Sequence, residues 1–344
     1  MTPDLTVLQK ALDDTLACFL TLHEGTINPA VAVSGGPDSM ALAHLLAQNA
    51  PRFQNKSVTA LTVDHGLRAE SASEAENAGH QIGNWSGITH HILKWEGDKP
   101  TTKIQETARE IRFTLLQNYC IDNGLNVLFL AHHMNDQAET ILFRLAKGSG
   151  IDGLCGMKVF SPLTKASDRT IKIVRPFLGI PKRDLVDYCA FHKIFYAQDP
   201  TNKDLSYSRP RLRESMAVLE KEGLSAERLG KTGLRLQRAC DALETLAQEA
   251  FSVAIVSQKE NELIVDFQSL LSRPDEIVIR AVQKAMELIN PEIAKGYGPR
   301  FEKVETMCKS LINSDKFVKR TLGGCVIARN PQKSLLTIHR EKGK

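Results

Sequence analysis

Short apolar runs alternate with longer amphipathic stretches over roughly the first 200 residues. The run 30–33 ends in a glycine-rich turn and precedes the Ala- and Leu-rich stretch 40–48, which predicts a strand followed by a helix. The same pattern of apolar runs and amphipathic stretches predicts strands at 58–63, 89–93, 127–131 and 171–174. It predicts helices at 5–22, 69–85, 102–123, 135–146 and 181–192. Such alternation is typical of an α/β protein with a parallel sheet.

The pattern changes beyond Asp199. A stretch of helical propensity runs over 212–256, with breaks predicted near Gly223 and Gly230. The remainder predicts a strand at 263–265, helices at 274–289 and 298–312, and a terminal hairpin that turns at Gly323 and Gly324. The predicted organisation is an α/β domain over 1–210, a helical linker or subdomain over 211–256, and a smaller α+β domain over 257–344.

The composition is that of a soluble globular protein with two cores, because 344 residues are 42% apolar and 24% charged. No apolar run approaches the ~20 residues of a membrane span, and the acidic N-terminus does not resemble a signal peptide. We therefore expect a cytoplasmic protein, either monomer or homodimer. The seven cysteines form no CxxC pair, which argues against a disulfide framework or a structural metal site.

Charge is unevenly distributed along the chain. Residues 1–208 hold 20 Lys and Arg against 22 Asp and Glu, a net −2, whereas residues 209–344 hold 24 against 18, a net +6. A basic second half is compatible with a polyanionic partner such as RNA, although many proteins with this charge bind none.

The loop after the first strand has the composition of a phosphate-binding loop. Gly35 and Gly36 let backbone N–H groups converge on an anion, Pro37 suits the first helical turn, and Ser34 and Ser39 add hydroxyl donors. The loop lacks the lysine of the GxxxxGK motif, which disfavours γ-phosphoryl transfer. Asp38 would lie beside the phosphates, which is physically sensible if Mg²⁺ offsets the charge repulsion.

Two further groups of polar residues lie where ligands of open α/β sheets bind. Asp64, His65 and Arg68 follow the second strand, and the alternative for them is a simple turn with a solvated arginine. Arg109 and Arg112 lie on one helix face and are able to grip phosphate oxygens, although nearby glutamates make an ordinary ion-paired surface equally reasonable.

The densest polar cluster lies where the strand at 127–131 leads into a helix. It contains His132, His133, Asp136, Glu139 and Thr140. Adjacent histidines in an extended turn point apart and no third soft ligand is near, which disfavours zinc. A more plausible arrangement has one histidine at the nucleotide and Asp136 at Mg²⁺.

The glycine-rich loop at 34–39 resembles the PP-loop of the N-type ATP pyrophosphatases. These proteins have a Rossmann-like fold and activate a substrate by transferring AMP from ATP. Over residues 25–215 the ordered motifs resemble the tRNA(Ile)-lysidine synthetase family; they read SGGPDS, DHGLR, ETAREIRF, AHHMNDQAETILFRLAKGSG, RPF and DPTNKDLSYSRPRLR. The resemblance is weaker towards the end, where RTLGGCVI is similar to the closing hairpin of many members, and it implies that the domain over 257–344 binds tRNA.

The resemblance implies an ATP-dependent ligase that attaches L-lysine to C2 of the wobble cytidine of a CAU-anticodon tRNA(Ile), through an adenylated cytidine, with release of pyrophosphate and AMP. Residues 34–39, with Asp64 and His65, would bind ATP, and Asp38 and Asp136 would hold Mg²⁺. Asp136, Glu139 and His133 are candidates to accept the proton of the lysine amine. The candidate catalytic residues are Asp38, Arg112, His133, Asp136 and Glu139; the candidate substrate and tRNA contacts are Arg68, Arg109, Arg209, Arg211 and Arg213.

Two departures from the family pattern bear on these expectations. Asn135 stands where the family usually has a second acid, so a helix cap is kept but a charge is lost. Pro210 removes a hydrogen-bond donor from the arginine-rich segment. Three rivals stay open: a tRNA-thiolating enzyme, which we expect to use cysteine pairs; a small-molecule synthetase; and a non-catalytic RNA-binding relative.

Overall fold

The computed structural model describes residues 6–22, 26–67, 70–97, 99–100, 102, 104–163, 171–197, 208–293, 298–314 and 316–341. The chain divides into two compact units, Met1–Leu236 and Gln237–Lys344. The three-part division expected from sequence, at 210 and 256, stays a prediction beside this one. Among the described residues, no helix is both long and apolar enough to cross a membrane.

The first unit is built on a six-stranded sheet in the order β3-β2-β1-β4-β6-β5. Its strands are β1 (Pro29–Ala32), β2 (Val58–Asp64), β3 (Ile88–Lys94), β4 (Val127–Phe129), β5 (Phe160–Pro162) and β6 (Lys172–Val174). Its helices are α1 (Thr6–Leu22), α2 (Pro37–Gln48), α3 (Ser71–Ile82), α4 (Ile104–Asp122), α5 (Met134–Ala146), α6 (Ile151–Leu154), α7 (Lys182–Phe191) and α8 (Ser208–Lys221). All strand pairs are parallel except β5 with β6, which confirms the predicted fold class.

Strand order decides where this sheet offers a site. β1 pairs with β2 on one side and with β4 on the other. The chain runs outward from β1 to β3 and then returns to the other side of β1, so the order reverses between β1 and β4. Ligands of open α/β sheets bind at the carboxyl ends of the strands flanking such a reversal. The turns after β1 and β4 are therefore where the fold favours a site.

The helix α9 (Ala226–Ala254) is continuous through a predicted break. The expectation of an interruption near Gly230 is wrong, whereas the break near Gly223 is confirmed by the gap between α8 and α9. A Cβ on Gly233 would lie 2.8 Å from Ile141 Cδ1 of α5, so glycine here permits close packing of two helices. Glycine costs about 1 kcal/mol in a helix relative to Ala, which tertiary packing readily offsets.

The second unit contains a five-stranded antiparallel sheet in the order β7-β8-β11-β10-β9. Its strands are β7 (Ile255–Lys259), β8 (Glu262–Asp266), β9 (Val318–Leu322), β10 (Cys325–Asn330) and β11 (Leu335–Arg340), and its other helices are α10 (Phe267–Leu271), α11 (Asp275–Ile289) and α12 (Phe301–Ile312). The predicted hairpin is confirmed, because β9 and β10 pair across Gly323 and Gly324.

Arg329 has a structural role in this unit. Its side chain is buried, and its Nη1 donates to the carbonyl oxygens of Leu311, Ile312 and Ser314 at the end of α12. A cation at a helix C-terminus also interacts favourably with the helix dipole. Arg329 therefore caps α12.

A cluster of aromatic and imidazole rings packs α2 against α7. His44 Nδ1 lies 2.9 Å from the Tyr188 hydroxyl, and its ring contacts Trp85 and His192. Burial, together with the neighbouring His192, lowers the pKa of His44 to about 4. His44 is therefore neutral in the folded protein at pH values where an unfolded chain binds a proton.

We expect stability to fall as pH drops from about 6.5 towards 4, because protonation of His44 favours the unfolded state over this range. The loss from this ring is about 1–2 kcal/mol, less than the full shift implies because the ring is only partly buried. Thermal unfolding against pH measures it, and His44→Gln should flatten the slope between about pH 6.5 and 5. The exposed His80→Gln is the matched control and should keep the wild-type slope.

Candidate active site

The loop between β1 and α2 is shaped to receive an anion. Gly35 has φ +78°, a left-handed conformation that side chains disfavour. Ser39 Oγ accepts the Ser34 N–H at 3.1 Å and donates to the Gly36 carbonyl at 3.0 Å, which closes the loop. The N-cap of α2, Gly36, supplies no side-chain cap, so the first helical N–H groups and the positive end of the helix dipole face the loop.

His133 joins this loop to the turn after β4. Its Nδ1 accepts the Asp136 backbone N–H at 3.4 Å, while Asp136 Oδ2 accepts the His133 N–H at 3.1 Å, a reciprocal cap that begins α5. Because Nδ1 is an acceptor, the neutral ring carries its proton on Nε2. That nitrogen lies 3.5 Å from Asp38 Oδ2 and 3.5 Å from Asp136 Oδ2. The two carboxylates predicted to act together therefore meet at one imidazole.

The environment of Asp38 is suited to a cation. Its Oδ2 faces His133 and lies 3.9 Å from Lys182 Nζ, whereas its buried Oδ1 has no hydrogen-bond partner. A buried carboxylate oxygen without a donor is costly unless a ligand completes it. Mg²⁺ is usually held by one or two carboxylates together with substrate phosphates. Asp38 and Asp136 fit that pattern, while no described group of three His, Cys, Asp or Glu forms a preformed metal site.

A cavity of about 330 Å³ opens beside these carboxylates, a size typical of small-molecule sites. Apolar walls come from the ends of β1 and β2 and from α4. Its polar lining consists of Ser34, Asp38, Ser39, Thr62, His65, Ser71, Glu74, Arg109, Arg112, His132 and Asp136. The structure thus brings both predicted arginines of α4, and His65, to the same cavity as the loop.

Asp64 is placed differently from His65. Its Oδ1 accepts the Ser71 hydroxyl at 2.6 Å and the Gly66 N–H at 3.0 Å. The Ser71 hydrogen bond is the largest of the effects that lower the pKa of Asp64. The carboxylate thereby orders the turn after β2, and its predicted contact with the nucleotide stays a prediction.

The buried carboxylate of Glu139 forms an ion pair with the partly exposed Arg213. Arg213 Nε lies 2.5 Å from Glu139 Oε1, and Nη2 lies 3.3 Å from Oε2, so the contact is bidentate. Burial lowers the pKa of Arg213, but its hydrogen bond to Glu139 and the charges of Glu139, Asp136 and Asp38 outweigh this effect and raise it overall. The guanidinium therefore interacts favourably with all three carboxylates.

The other arginines predicted to contact tRNA are not seen to join the cavity. Arg211 is exposed on α8. Arg68 lies outside the described residues, as does the side chain of Arg209, together with most of the DPTNKDLSYS segment. The tRNA contacts assigned to these arginines stay predictions.

Two features were not anticipated from sequence. Lys182, the first residue of α7, brings an ammonium group towards Asp38. A second cavity, of about 650 Å³, lies beyond the loop, where Gly35 and Glu74 share a lining with Trp85, Phe195 and Tyr196. Glu74 lines both cavities. Lysines and aromatics at scattered positions carry no sequence signal of such proximity.

Asn135 links the two helices at the site. Its Oδ1 accepts the backbone N–H of Lys182 at 3.2 Å, so it satisfies the start of α7, while the cap of α5 is supplied by His133. An aspartate at this position would keep the hydrogen bond and favour the positive end of α7.

We expect Asn135→Asp to leave the reaction rate within about threefold and to change stability by less than about 1 kcal/mol. Asn135→Ala removes the acceptor and should lower the melting temperature. A rise in rate of an order of magnitude or more in Asn135→Asp would instead show that the family's acid acts in catalysis. Single-turnover kinetics and thermal unfolding of both variants provide the comparison.

Comparison with known proteins identifies the class first. A family model described as the PP-loop domain matches residues 8–220. Among solved structures, U34-tRNA thiolase NcsA from Methanococcus maripaludis superposes with a TM-score of 0.55 at 18% identity, covering 67% of this chain and 79% of that one. The fold and the loop define a PP-loop protein.

Curated relatives identify one family within the PP-loop proteins. The tRNA(Ile)-lysidine synthase of Wolbachia pipientis is 33% identical over 307 residues, 89% of this chain and 69% of that protein. The protein of the same name from Methylobacterium nodulans is 39% identical over 260 residues, 75% and 74% of the two chains. That from Bradyrhizobium diazoefficiens is 34% identical over 321 residues, 87% and 86%. The chain belongs to the tRNA(Ile)-lysidine synthase family.

Proposed function

We propose that the protein ligates L-lysine to C2 of the wobble cytidine of a CAU-anticodon tRNA(Ile), with ATP converted to AMP and pyrophosphate. The observation that carries the proposal is the meeting of Asp38 and Asp136 at His133, beside a PP-loop, in a chain of this family. The PP-loop domain supports ATP as the co-substrate.

In the first step the cytosine O2 attacks the α-phosphorus of ATP, and pyrophosphate leaves. The N–H groups after Gly36 would hold the phosphate oxygens as negative charge develops. The Ser34 and Ser39 hydroxyls contact each other at 3.2 Å and close the loop, and their predicted contact with ATP stays a prediction. Lys182 and the arginines of α4 add positive charge around the same cavity. When bound, Mg²⁺ would neutralise phosphate charge, held by Asp38 and Asp136.

In the second step the lysine ε-amine attacks C2 and expels AMP, which requires a proton acceptor. Glu139 is engaged by Arg213, and the Nδ1 of His133 is engaged by a backbone N–H. Asp136 lines the cavity, but its Oδ2 accepts the His133 backbone N–H and the residue is assigned to Mg²⁺. Asp136, Glu139 and His133 therefore all stay candidates for the proton acceptor. The oligomeric state, monomer or homodimer, and the cytoplasmic location stay predictions.

The thiolation alternative is disfavoured by the state of the cysteines. Burial raises the pKa of Cys120 and Cys189 to about 12. Both thiols are therefore protonated at neutral pH, whereas sulfur transfer needs thiolates. The chain also contains no CxxC pair.

The deciding experiment incubates the protein with ATP, Mg²⁺, radiolabelled lysine and CAU-anticodon tRNA(Ile). We expect label in the RNA, and none when the wobble base is uridine. ATP-dependent sulfur incorporation, or tight RNA binding with no chemistry, would overturn the proposal. Omitting lysine should leave adenylated RNA, which isolates the first step.

A cytidine that leaves the anticodon stack needs a surface on which to stack. Phe195 is 82% exposed at the second cavity, next to the PP-loop residue Gly35. Base stacking on an aromatic ring contributes about 1–3 kcal/mol. We expect Phe195→Ala to raise the KM for tRNA at least about fivefold, with unchanged ATP binding. Phe195→Trp should retain the wild-type KM, and Phe191→Ala, an exposed phenylalanine on α7, serves as the control.

A further inference from the structure

Arg175 is a buried guanidinium at the end of β6. Its Nη1 donates to the Lys158 carbonyl and the Ser161 hydroxyl, both at 2.9 Å, and its Nε donates to His132 Nδ1 at 3.3 Å. These partners are neutral, and no carboxylate in the described ranges lies within ion-pair distance of it. Buried charges are normally paired, so the arrangement needs an explanation.

The surroundings of Arg175 add positive charge instead of cancelling it. Burial, and to a smaller extent the charge of Arg109, lower its pKa to about 10, so it still carries its proton at neutral pH. Arg109 and Arg112 line the first cavity. The planar donors of these two arginines suit phosphate oxygens, which agrees with an anionic ligand in that cavity.

His132 connects Arg175 with that cavity. Its ring lines the cavity wall, whereas Arg175 lies behind it. Because Nδ1 accepts from Arg175, the neutral ring carries its proton on Nε2. The hydrogen bond thus selects the tautomer that donates from the opposite edge of the ring.

We propose that Arg175 is a positioning residue that holds His132 as an Nε2–H donor to a phosphate oxygen of ATP. The proposal rests on the proposed function only in naming ATP as the anion. It assigns separate jobs to the two adjacent histidines: His133 joins the carboxylates, and His132 faces the phosphates.

The test measures binding of a non-hydrolysable ATP analogue with Mg²⁺ by calorimetry, in the absence of tRNA and lysine. Removing a group that orients a metal ligand typically costs about 10- to 100-fold in affinity, and we expect a similar loss for a group that orients a phosphate ligand. We expect Arg175→Gln and His132→Gln each to weaken binding by about 10-fold or more. Arg175→Lys, which keeps the charge but not the Nε donor, should fall between Arg175→Gln and the wild type. The exposed Arg183→Gln is the control.

A double-mutant cycle separates positioning from a merely structural role. If Arg175 acts through His132, the affinity of the double variant should lie within about threefold of that of the weaker-binding single variant. NMR of ¹⁵N-labelled histidine should show the Nε2–H tautomer of His132 in the wild type and a tautomer mixture in Arg175→Lys. Independent, multiplicative losses, an unchanged tautomer, or wild-type affinity in Arg175→Lys would overturn the proposal. Because no RNA is present, these outcomes are independent of whether lysine is transferred.

Discussion

Asp38→Asn is expected to reduce formation of adenylated RNA by about 100- to 1,000-fold, the range seen when one preorganised electrostatic group is lost. The amide preserves the size of the side chain but removes the negative charge from the buried Oδ1, which has no protein partner. It also removes the charge that faces His133 and Lys182. The rate is measured in a single turnover with ATP labelled at its α-phosphorus and without lysine.

The matched control for this variant is Asp122→Asn, an exposed acid at the end of α4. It should react at the wild-type rate. Thermal unfolding must show that Asp38→Asn remains folded, as an isosteric change at a partly exposed position predicts. A rate within threefold of the wild type would remove Asp38 from the chemistry and leave the PP-loop with no carboxylate for a metal.

Arg213→Met is expected to lower both stability and activity, because it leaves the buried carboxylate of Glu139 without its ionic partner. Breaking a buried pair costs about 3–5 kcal/mol, and the partial exposure of Arg213 reduces our expectation to about 1–3 kcal/mol. The double change Arg213→Met with Glu139→Gln should recover most of that stability, because it removes both charges. Chemical denaturation measures the free energy of unfolding of each variant.

The activity of the same double variant separates structure from function. Arg213 also raises the positive potential around Asp38 and Asp136, so a stable double variant should still be at least about 100-fold slower. Arg235→Met, an exposed arginine in α9, serves as the control. Wild-type activity in the refolded double variant would reduce the ion pair to a structural link between α5 and α8.

The sequence predicted the elements of the first unit well, because most of its strands are short apolar runs bounded by turn residues. β5, with its exposed Pro162, and β7, which follows α9 directly, have no such boundary and were missed. At Gly230, by contrast, a helix break was predicted and α9 is continuous. A lone glycine normally weakens a helix, but packing of α9 against α5, closest at Gly233, holds the helix together through this region.

The candidate site was predicted as a set of motifs and not as a set of contacts. The glycine loop and the polar cluster after β4 are legible because each is contiguous, and the parallel sheet brings both to one edge. The Arg213–Glu139 and Arg175–His132 contacts join residues 74 and 43 positions apart. Nothing local marks those partners, since an arginine destined for a buried contact has the same composition signature as a solvated one.

The reciprocal cap at His133 ties the dynamics of a helix end to the integrity of the site. Helix ends fray more readily than helix interiors, yet here opening of the first turn of α5 also withdraws the imidazole from Asp38. The amide proton of Asp136 is held by that imidazole, so its exchange with solvent reports how often the two halves of the site come apart. A bound nucleotide that bridges the loop and α5 would slow this exchange. The exchange rate of the Asp136 amide proton therefore measures how stably the site is assembled.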